Sequence, residues 1–338
     1  MNHHINLCQL GCGYWGPNLL RNFLKIDEVD SITVCDTNNT IIEKIQTSFP
    51  SVITSKETES YINSEKIDAL IISLPAKDHY QYAKKGLLAN KHVFVEKPLA
   101  MNTSEAEDLI QIADEKSKIL MVGHTFLYNN AVRKIKTFID NGDLGDIYYI
   151  FSQRLNLGRV RQDINAMWNL APHDISIINY WLNEDPINVF AKGVSFLQKG
   201  IEDLVFIHMD YHSGKSAHIH VTWLDPLKTR KMIVVGSKKM LVYDDVSTDC
   251  KITIYDKGID KTLKNNLKYE IYDYASFQLK NRTGDIFIPK IDFIEPLSIE
   301  CQHFIDCISK NQKPITDGIS GLHVVKVLEQ AQKHLDQQ

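Results

Sequence analysis

Near the start of the chain, Gly11-Cys12-Gly13-Tyr14-Trp15-Gly16 places three glycines at G-x-G-x-x-G spacing directly after the apolar run Ile5–Leu10. Asp36 follows Gly16 by 20 positions, at the end of the next apolar run. Glycine at 11 permits a tight turn. Glycine at 13 lets backbone approach a pyrophosphate without an intervening Cβ, and glycine at 16 lets a helix pack close to a sheet. A helix opening there offers free N–H groups and partial positive charge to phosphates. An acid ending the second strand accepts from ribose hydroxyls and repels a 2′-phosphate, and Thr37-Asn38-Asn39 behind it brings no arginine. The pattern is a complete dinucleotide fingerprint and implies NAD in preference to NADP. Tyr14, Trp15 and Thr37 fall within the same two turns and join the candidate cofactor contacts.

A second group is Glu96-Lys97-Pro98, after the apolar run His92–Val95. Strand C-termini of a doubly wound sheet face the ligand crevice, which sets Lys97 beside a bound dinucleotide. A lysine there can exchange a proton with a hydroxyl or carbonyl. Partial burial would lower its pKa toward a useful value, and a close Glu96 would oppose that. Pro98 is a candidate for a cis peptide.

These groups need a scaffold. Strand-like runs at Ile5–Leu10, Ser31–Cys35, Val52–Thr54, Ala69–Leu74, His92–Val95 and Ile119–Val122 alternate with helical segments. The helical segments are the one opened by Pro17, then Ile41–Phe49, Asp78–Leu88 and Ser104–Glu115. That alternation implies βαβ units on a parallel sheet. After Gly123 the pattern changes. Asn130–Asn141 reads as a helix, Ile147–Leu155 as a strand, Asn156–Asn165 as a polar loop and Ala171–Leu182 as a helix. Successive strands with turn residues between them run from Ile187 to about Ile254, among them Leu204–Tyr211, Ala217–Trp223, Met232–Val235 and Met240–Tyr243. Lys257–Asp285 reads as loops with one strand, Pro296 opens a helix, and a last helix runs from about Gly321 to Leu335. The expected fold is α/β: a Rossmann doubly wound parallel sheet over residues 1–122, and an α/β domain over 123–338 with a large, open, mainly antiparallel sheet.

With these residues in view, the chain resembles the Gfo/Idh/MocA oxidoreductases over essentially its whole length. The resemblance rests on Gly11–Gly16 with Asp36, on Ser73-Leu74-Pro75 to His79, on Glu96-Lys97-Pro98, and on Pro172-His173-Asp174. It implies oxidation or reduction of a secondary alcohol on a sugar or cyclitol, with Lys97 as catalytic lysine and His173 sharing or relaying the proton. It adds Ser73, Leu74, His79 and Glu96 to the cofactor contacts. The family often has an aspartate four residues before that histidine. This chain has Asn169, which can orient a hydroxyl but cannot take a proton, so the weight falls on Lys97 and His173.

Arg159 and Arg161 precede the catalytic helix, and guanidinium groups suit bidentate contacts to phosphate. The segment from Arg159 to Asp174 is similar to that of family members acting in nucleotide-sugar pathways. The expected substrate is a nucleotide-linked hexose, with C3 the favoured position. Trp168 is placed to pack on a sugar or nicotinamide ring or to fill a domain interface, and Tyr128 to reach the sugar or to fill the core. His208, His212, His218 and His220 fall at strand spacing and read as a polar sheet or subunit face, not as a metal site. An open sheet with an uncovered face calls for a homo-oligomer, dimer or tetramer.

Bulk properties agree. The chain has 338 residues, 43% hydrophobic and 24% charged, with net charge −4. That composition is globular, and the acidic balance argues against nucleic-acid binding. Six cysteines without a C-x-x-C pair fit free thiols in a reducing cytoplasm. No apolar run reaches the length of a membrane span, and MNHHINLCQL lacks the features of a secretion signal. Two other functions remain open: a dehydrogenase of a free sugar or inositol, and a catalytically silent NAD-binding sensor.

Overall fold

The computed structural model describes residues 4–263 and 277–338. Six strands form the first sheet: β1 (Ile5–Leu10), β2 (Val29–Cys35), β3 (Ile53–Ser55), β4 (Ala69–Ile72), β5 (His92–Glu96) and β6 (Leu120–Gly123). Their order is β3-β2-β1-β4-β5-β6, every pair parallel. The helices between them are α1 (Gly16–Phe23), α2 (Asn39–Ser48), α3 (Thr58–Ile62), α4 (His79–Leu88) and α5 (Thr103–Lys116). Strand order reverses between β1 and β4, so the C-terminal ends of those two strands open the crevice where such sheets bind ligands.

Alternation along each strand feeds two cores. Ala69, Ile71 and Phe94 join Phe23 of α1 on one face, and Leu70, Ile72, Val93 and Val95 join Ala83, Leu87, Ala106 and Leu109 on the other. Helix α8 (Pro296–Lys310) adds Leu297, Cys301, Phe304 and Ile305 to the first core, with Phe23, Phe94 and Phe304 meeting edge to face at 5.7–6.3 Å. Helix α9 (Gly318–Leu335) adds Leu322 and Val325 to the second.

By packing, the chain divides into two compact units. The first runs to Asn130 and takes in Ile175–Asn179 and Phe293–Gln338. The second comprises Ala131–Asp174 and Tyr180–Asp292. The pattern change at Gly123 could not reveal that the last two helices return to the first unit, because an amphipathic helix does not say which sheet its apolar stripe will meet.

The second unit holds α6 (Asn130–Asp140) and most of α7 (Ala166–Leu182) with strands β7 (Ile147–Leu155), β8 (Pro186–Val194), β9 (Leu204–Tyr211), β10 (Ser216–Thr222), β11 (Thr229–Gly236), β12 (Met240–Asp244), β13 (Ile252–Leu263) and β14 (Phe277–Phe287). Their order is β14-β13-β12-β11-β7-β10-β9-β8, antiparallel except for β7 with β10. One face is buried through residues such as Val205, Ile207 and Met209, while Phe190 and Phe206 are exposed on the other.

Two expectations are corrected. Lys257–Asp285 is not mainly loop, because β13 and β14 pair from Ile254↔Phe287 to Leu263↔Phe277. Residues 281–287 are mostly exposed, so the strand shows no period-two alternation of the kind that marks a half-buried strand. The 264–276 part of that expectation lies outside the described residues. Helix α7 starts at Ala166, not Ala171, and carries Pro172 inside it. Pro172 removes one helical donor, yet Ala166, Met167, Trp168 and Ala171 are all buried, and Asn165 Oδ1 caps the start by accepting from Trp168 N at 3.1 Å.

Five of the six free cysteines are buried, and Cys250 is exposed. Among the described residues no helix is long and apolar enough to cross a membrane.

Candidate active site

The glycine turn follows β1 at the strand-order reversal. Gly11 has φ +80°, and its N–H donates to Cys35 O at 2.8 Å, tying the turn to the end of β2. A Cβ at Gly16 would lie 2.8 Å from Gln9 Nε2 and 3.0 Å from Gly11 O, so only glycine lets α1 sit this close. A Cβ at Gly13 would meet nothing within 4 Å. The open side of the turn is therefore at Gly13, where the fingerprint requires a pyrophosphate to approach.

Gln9, which the sequence reading passed over, fastens the turn from below. It is fully buried, and its Nε2 donates to Gly11 O at 3.1 Å and Gly16 O at 3.0 Å. An amide between Cys8 and Leu10, just before the glycine turn, was the available signal. Ser73 Oγ donates to Gly11 O at 2.6 Å from the end of β4. Asp36 is half-buried and accepts from Cys12 N at 2.8 Å through Oδ2 and from Asn38 N at 2.9 Å through Oδ1. Each carboxylate oxygen has a second lone pair, so capacity remains for ribose hydroxyls. Tyr14 and Thr37 are exposed at this rim. The open turn and the anchored acid fit a dinucleotide.

His79 stands elsewhere. It is buried, with Nδ1 2.7 Å from Pro98 O and Nε2 2.9 Å from Leu74 O. Burial holds its pKa below the ordinary histidine value. A neutral imidazole donates from only one nitrogen, so one of these contacts is a full hydrogen bond. The residue braces the two loops after β4 and β5 and is not exposed to a ligand.

Lys97 follows β5 at the same end of the sheet, half-buried, and its peptide bond to Pro98 is cis. Glu96 beside it is buried. It accepts from Lys97 N at 3.3 Å, and the Trp15 side chain of the glycine turn is among the groups that favour its charged form. Gly123 lies directly against this group: a Cβ there would be 3.1 Å from Glu96 Oε1. Burial pushes the Glu96 pKa up to about 7 against the opposing charge of Lys97.

Two further titratable groups that the sequence reading missed lie in this region. His124, just past β6, is buried and its pKa is pushed down to about 3 by burial and then by the Lys97 charge. Glu300 of α8 is fully buried, accepts from Thr125 Oγ1 at 2.7 Å, and is held well above the carboxylate range by burial and then by Glu96. An acid on the apolar stripe between Leu297 and Phe304 was the signal for Glu300.

In the second unit, Asp174 is fixed against β7. It accepts from Ser152 Oγ at 2.8 Å and from Arg154 Nε and Nη2 at 2.7 and 3.2 Å, and all three residues are buried. His173, half-buried, is the preceding residue on α7. Asn169, one turn earlier, accepts from the buried Trp223 indole at 3.2 Å, so the amide serves the packing of α7 on the sheet.

Other expectations separate. Tyr128 is fully buried with its hydroxyl 3.0 Å from Thr316 Oγ1, which makes it a core residue and not a sugar contact. Trp168 is buried. Arg161 is engaged in a fork on Asp163 at 2.8 and 2.6 Å. Arg159 is exposed and, among the described residues, makes no ion pair. Of the histidines, His208 and His218 are cross-strand partners 3.1 Å apart, with Asp210 2.8 Å from His208, and His220 stacks on Phe206.

Comparison with known proteins agrees with this geometry. Residues 5–124 match the oxidoreductase family GFO_IDH_MocA, NAD-binding Rossmann fold, and residues 132–242 match the GFO/IDH/MocA C-terminal domain. An uncharacterized oxidoreductase, YrbE of Bacillus subtilis, is 21% identical over 96% of this chain and 93% of its own length. An inositol 2-dehydrogenase of Salmonella typhimurium is 25% identical over 63% of this chain and 65% of its own length. Among solved structures, UDP-N-acetylglucosamine 3-dehydrogenase GnnA of Acidithiobacillus ferrooxidans superposes with TM-score 0.78 at 20% identity, covering 98% of this chain and 97% of that one.

Proposed function

The chain belongs to the Gfo/Idh/MocA oxidoreductase family, and from that premise we propose that it is an NAD-dependent dehydrogenase or reductase of a nucleotide-linked hexose, acting at C3. The observation that carries the hydride-transfer reading is that the glycine turn, after β1, and Lys97, after β5, stand at the same C-terminal end of one parallel sheet. Bound at that turn, the nicotinamide cofactor supplies or accepts the hydride. Gly13 admits the pyrophosphate and Asp36 holds the adenosine ribose, its charge favouring NAD over NADP. Lys97 takes or gives the substrate hydroxyl proton. His173, which matches the family's histidine, aids that transfer.

Support for a diphosphate-linked substrate comes from the uncommitted guanidinium of Arg159 and from the likeness to a UDP-sugar 3-dehydrogenase. The second reading, a free sugar or inositol, is favoured by Arg161 being committed to Asp163, which leaves one arginine where two were expected. Exposed Phe190 and Phe206 on the open sheet face support a homo-oligomer, and the free thiols support a cytoplasmic location.

The deciding experiment follows NADH absorbance with parallel panels of nucleotide sugars, free sugars and inositols. Turnover of a diphosphate-linked hexose, lost in Lys97→Ala, is the expected result. Turnover of free polyols alone selects the second reading. Tight NADH binding without turnover on either panel selects a sensor.

A further inference from the structure

Helix α8 reaches the sheet from the far end of the chain, and its Glu300 accepts from Thr125 Oγ1 at 2.7 Å, two residues past Gly123, the β6 residue paired with Glu96 at the end of β5. Glu96 and Glu300 are 8% and 0% exposed. Each has one oxygen engaged, Glu96 Oε2 by Lys97 N and Glu300 Oε2 by Thr125 Oγ1. The Oε1 atom of each is buried and, among the described residues, accepts no hydrogen bond.

The groups around the two carboxyls can be counted by charge. Lys97 supplies one positive charge. His124 is buried and neutral, pushed down to about 3, and His79, braced between two carbonyls, is likewise held below its ordinary value. Cys301, next to Glu300 on α8, is kept a thiol by burial and by the two carboxyls. Arg21, further out, is bound to Glu295 at a partly exposed pair. Two ionised carboxylates would therefore share one cation in a dry interior, an arrangement that leaves one ion uncompensated and strongly disfavoured.

We propose that Glu96 and Glu300 form a unit holding one proton and one negative charge behind Lys97, with Glu300 in its acid form confining the charge to Glu96. Glu300 is then a positioning residue. It acts on Lys97 through Glu96 by keeping the counter-charge single and next to the lysine. When the first of two neighbouring carboxyls ionises, the second keeps its proton.

The kinetic part rests on the reading of Lys97 as the proton-transfer group, so the test begins with properties independent of turnover. A carboxyl whose folded-state pKa lies above its unfolded value penalises folding increasingly as pH rises from the unfolded pKa toward the folded one. Glu300→Gln removes that penalty. Its Tm relative to the unsubstituted protein is expected to climb as pH rises from 5 to 8, with the infrared carbonyl band of a buried protonated acid lost at neutral pH. The surface variant Glu295→Gln keeps the band. If Glu300 were ionised and paired, Glu300→Gln would be less stable than the parent by an amount that stays constant from pH 5 to 8 and would remove no band, and either result overturns the proposal. In kinetics, Glu300→Gln keeps the acidic limb of the kcat/KM profile in place and Glu96→Gln moves it to lower pH. A limb that moves as far in Glu300→Gln as in Glu96→Gln overturns the division of roles. If Lys97→Ala remains active, the reading of Lys97 fails while the Tm and infrared results still judge the carboxyl pair.

Discussion

The backbone N–H of Cys12 donates to Asp36 Oδ2 at 2.8 Å, tying the middle of the glycine turn to the acid that follows β2. Asp36→Ala should therefore do two things. Loss of charge-assisted hydrogen bonds of about 1.5–3 kcal/mol weakens NADH binding roughly ten- to hundredfold. Loss of the negative charge lets NADPH bind, so the NADH/NADPH affinity ratio falls toward one. Fluorescence titration with both cofactors measures this, and an unchanged ratio would show that Asp36 does not set the preference.

Gly13 and Gly16 should fail differently. Nothing lies within 4 Å of a Cβ at Gly13, so Gly13→Ala should melt like the parent and bind NADH more weakly. Gly16→Ala drives its methyl toward Gln9 Nε2 and Gly11 O, and overpacking of this kind costs about 1–3 kcal/mol. Paired melting curves and NADH titrations distinguish the two effects. Equal Tm losses would show that Gly13 is a packing glycine.

The buried pair Arg154–Asp174 should be much more sensitive than the exposed pairs. Arg154→Met leaves Asp174 charged and buried, at a cost of about 3–5 kcal/mol. The double variant Arg154→Met/Asp174→Leu should recover much of that loss in urea denaturation and still show depressed kcat, because His173 loses the neighbour that orients its turn of helix. Full activity in the stable double variant would detach the pair from catalysis.

Asn169 offers a route to an altered pH profile. Asn169→Asp keeps an acceptor for the Trp223 indole, so stability should be nearly unchanged, while a new titrating group adds a limb to the kcat/KM profile on the acid side. Asn169→Leu leaves that buried indole N–H unpaired, costing about 1–3 kcal/mol. Should Asn169→Asp show the parental pH profile, this turn of α7 lies outside the proton path.

The parallel sheet was legible because buried strands between amphipathic helices leave short apolar runs, and the turn at Gly11–Gly16 because its chemistry is local. The elements that escaped depend on long-range packing. Glu300 and Thr125 are 175 positions apart and meet only once α8 docks on the sheet. Tyr128 carries a hydroxyl suited to a sugar, yet Thr316, remote in sequence, satisfies it in the core. The engagement of Arg161 escaped for a local reason, since Asp163 two positions on was visible but a bidentate fork requires a loop conformation that residue types do not specify.

That difference between the two arginines gives the sharpest test of substrate class. Arg159 is exposed and unengaged by any ion pair among the described residues, so its guanidinium reaches a ligand phosphate without first breaking a contact. Arg161 must surrender two hydrogen bonds to Asp163 to do the same. For a nucleotide sugar, Arg159→Ala should raise KM about ten- to hundredfold through loss of one charge-assisted phosphate contact and leave kcat near the parental value. Arg161→Ala should change KM less, because what it removes is already neutralised. With a free polyol neither substitution should matter, because no phosphate is present to contact. Steady-state kinetics of the two variants on both substrate types decides the matter: a phosphate-dependent KM effect confined to Arg159 supports the nucleotide-sugar reading, and equal insensitivity on a diphosphate-linked substrate removes the arginine segment from recognition.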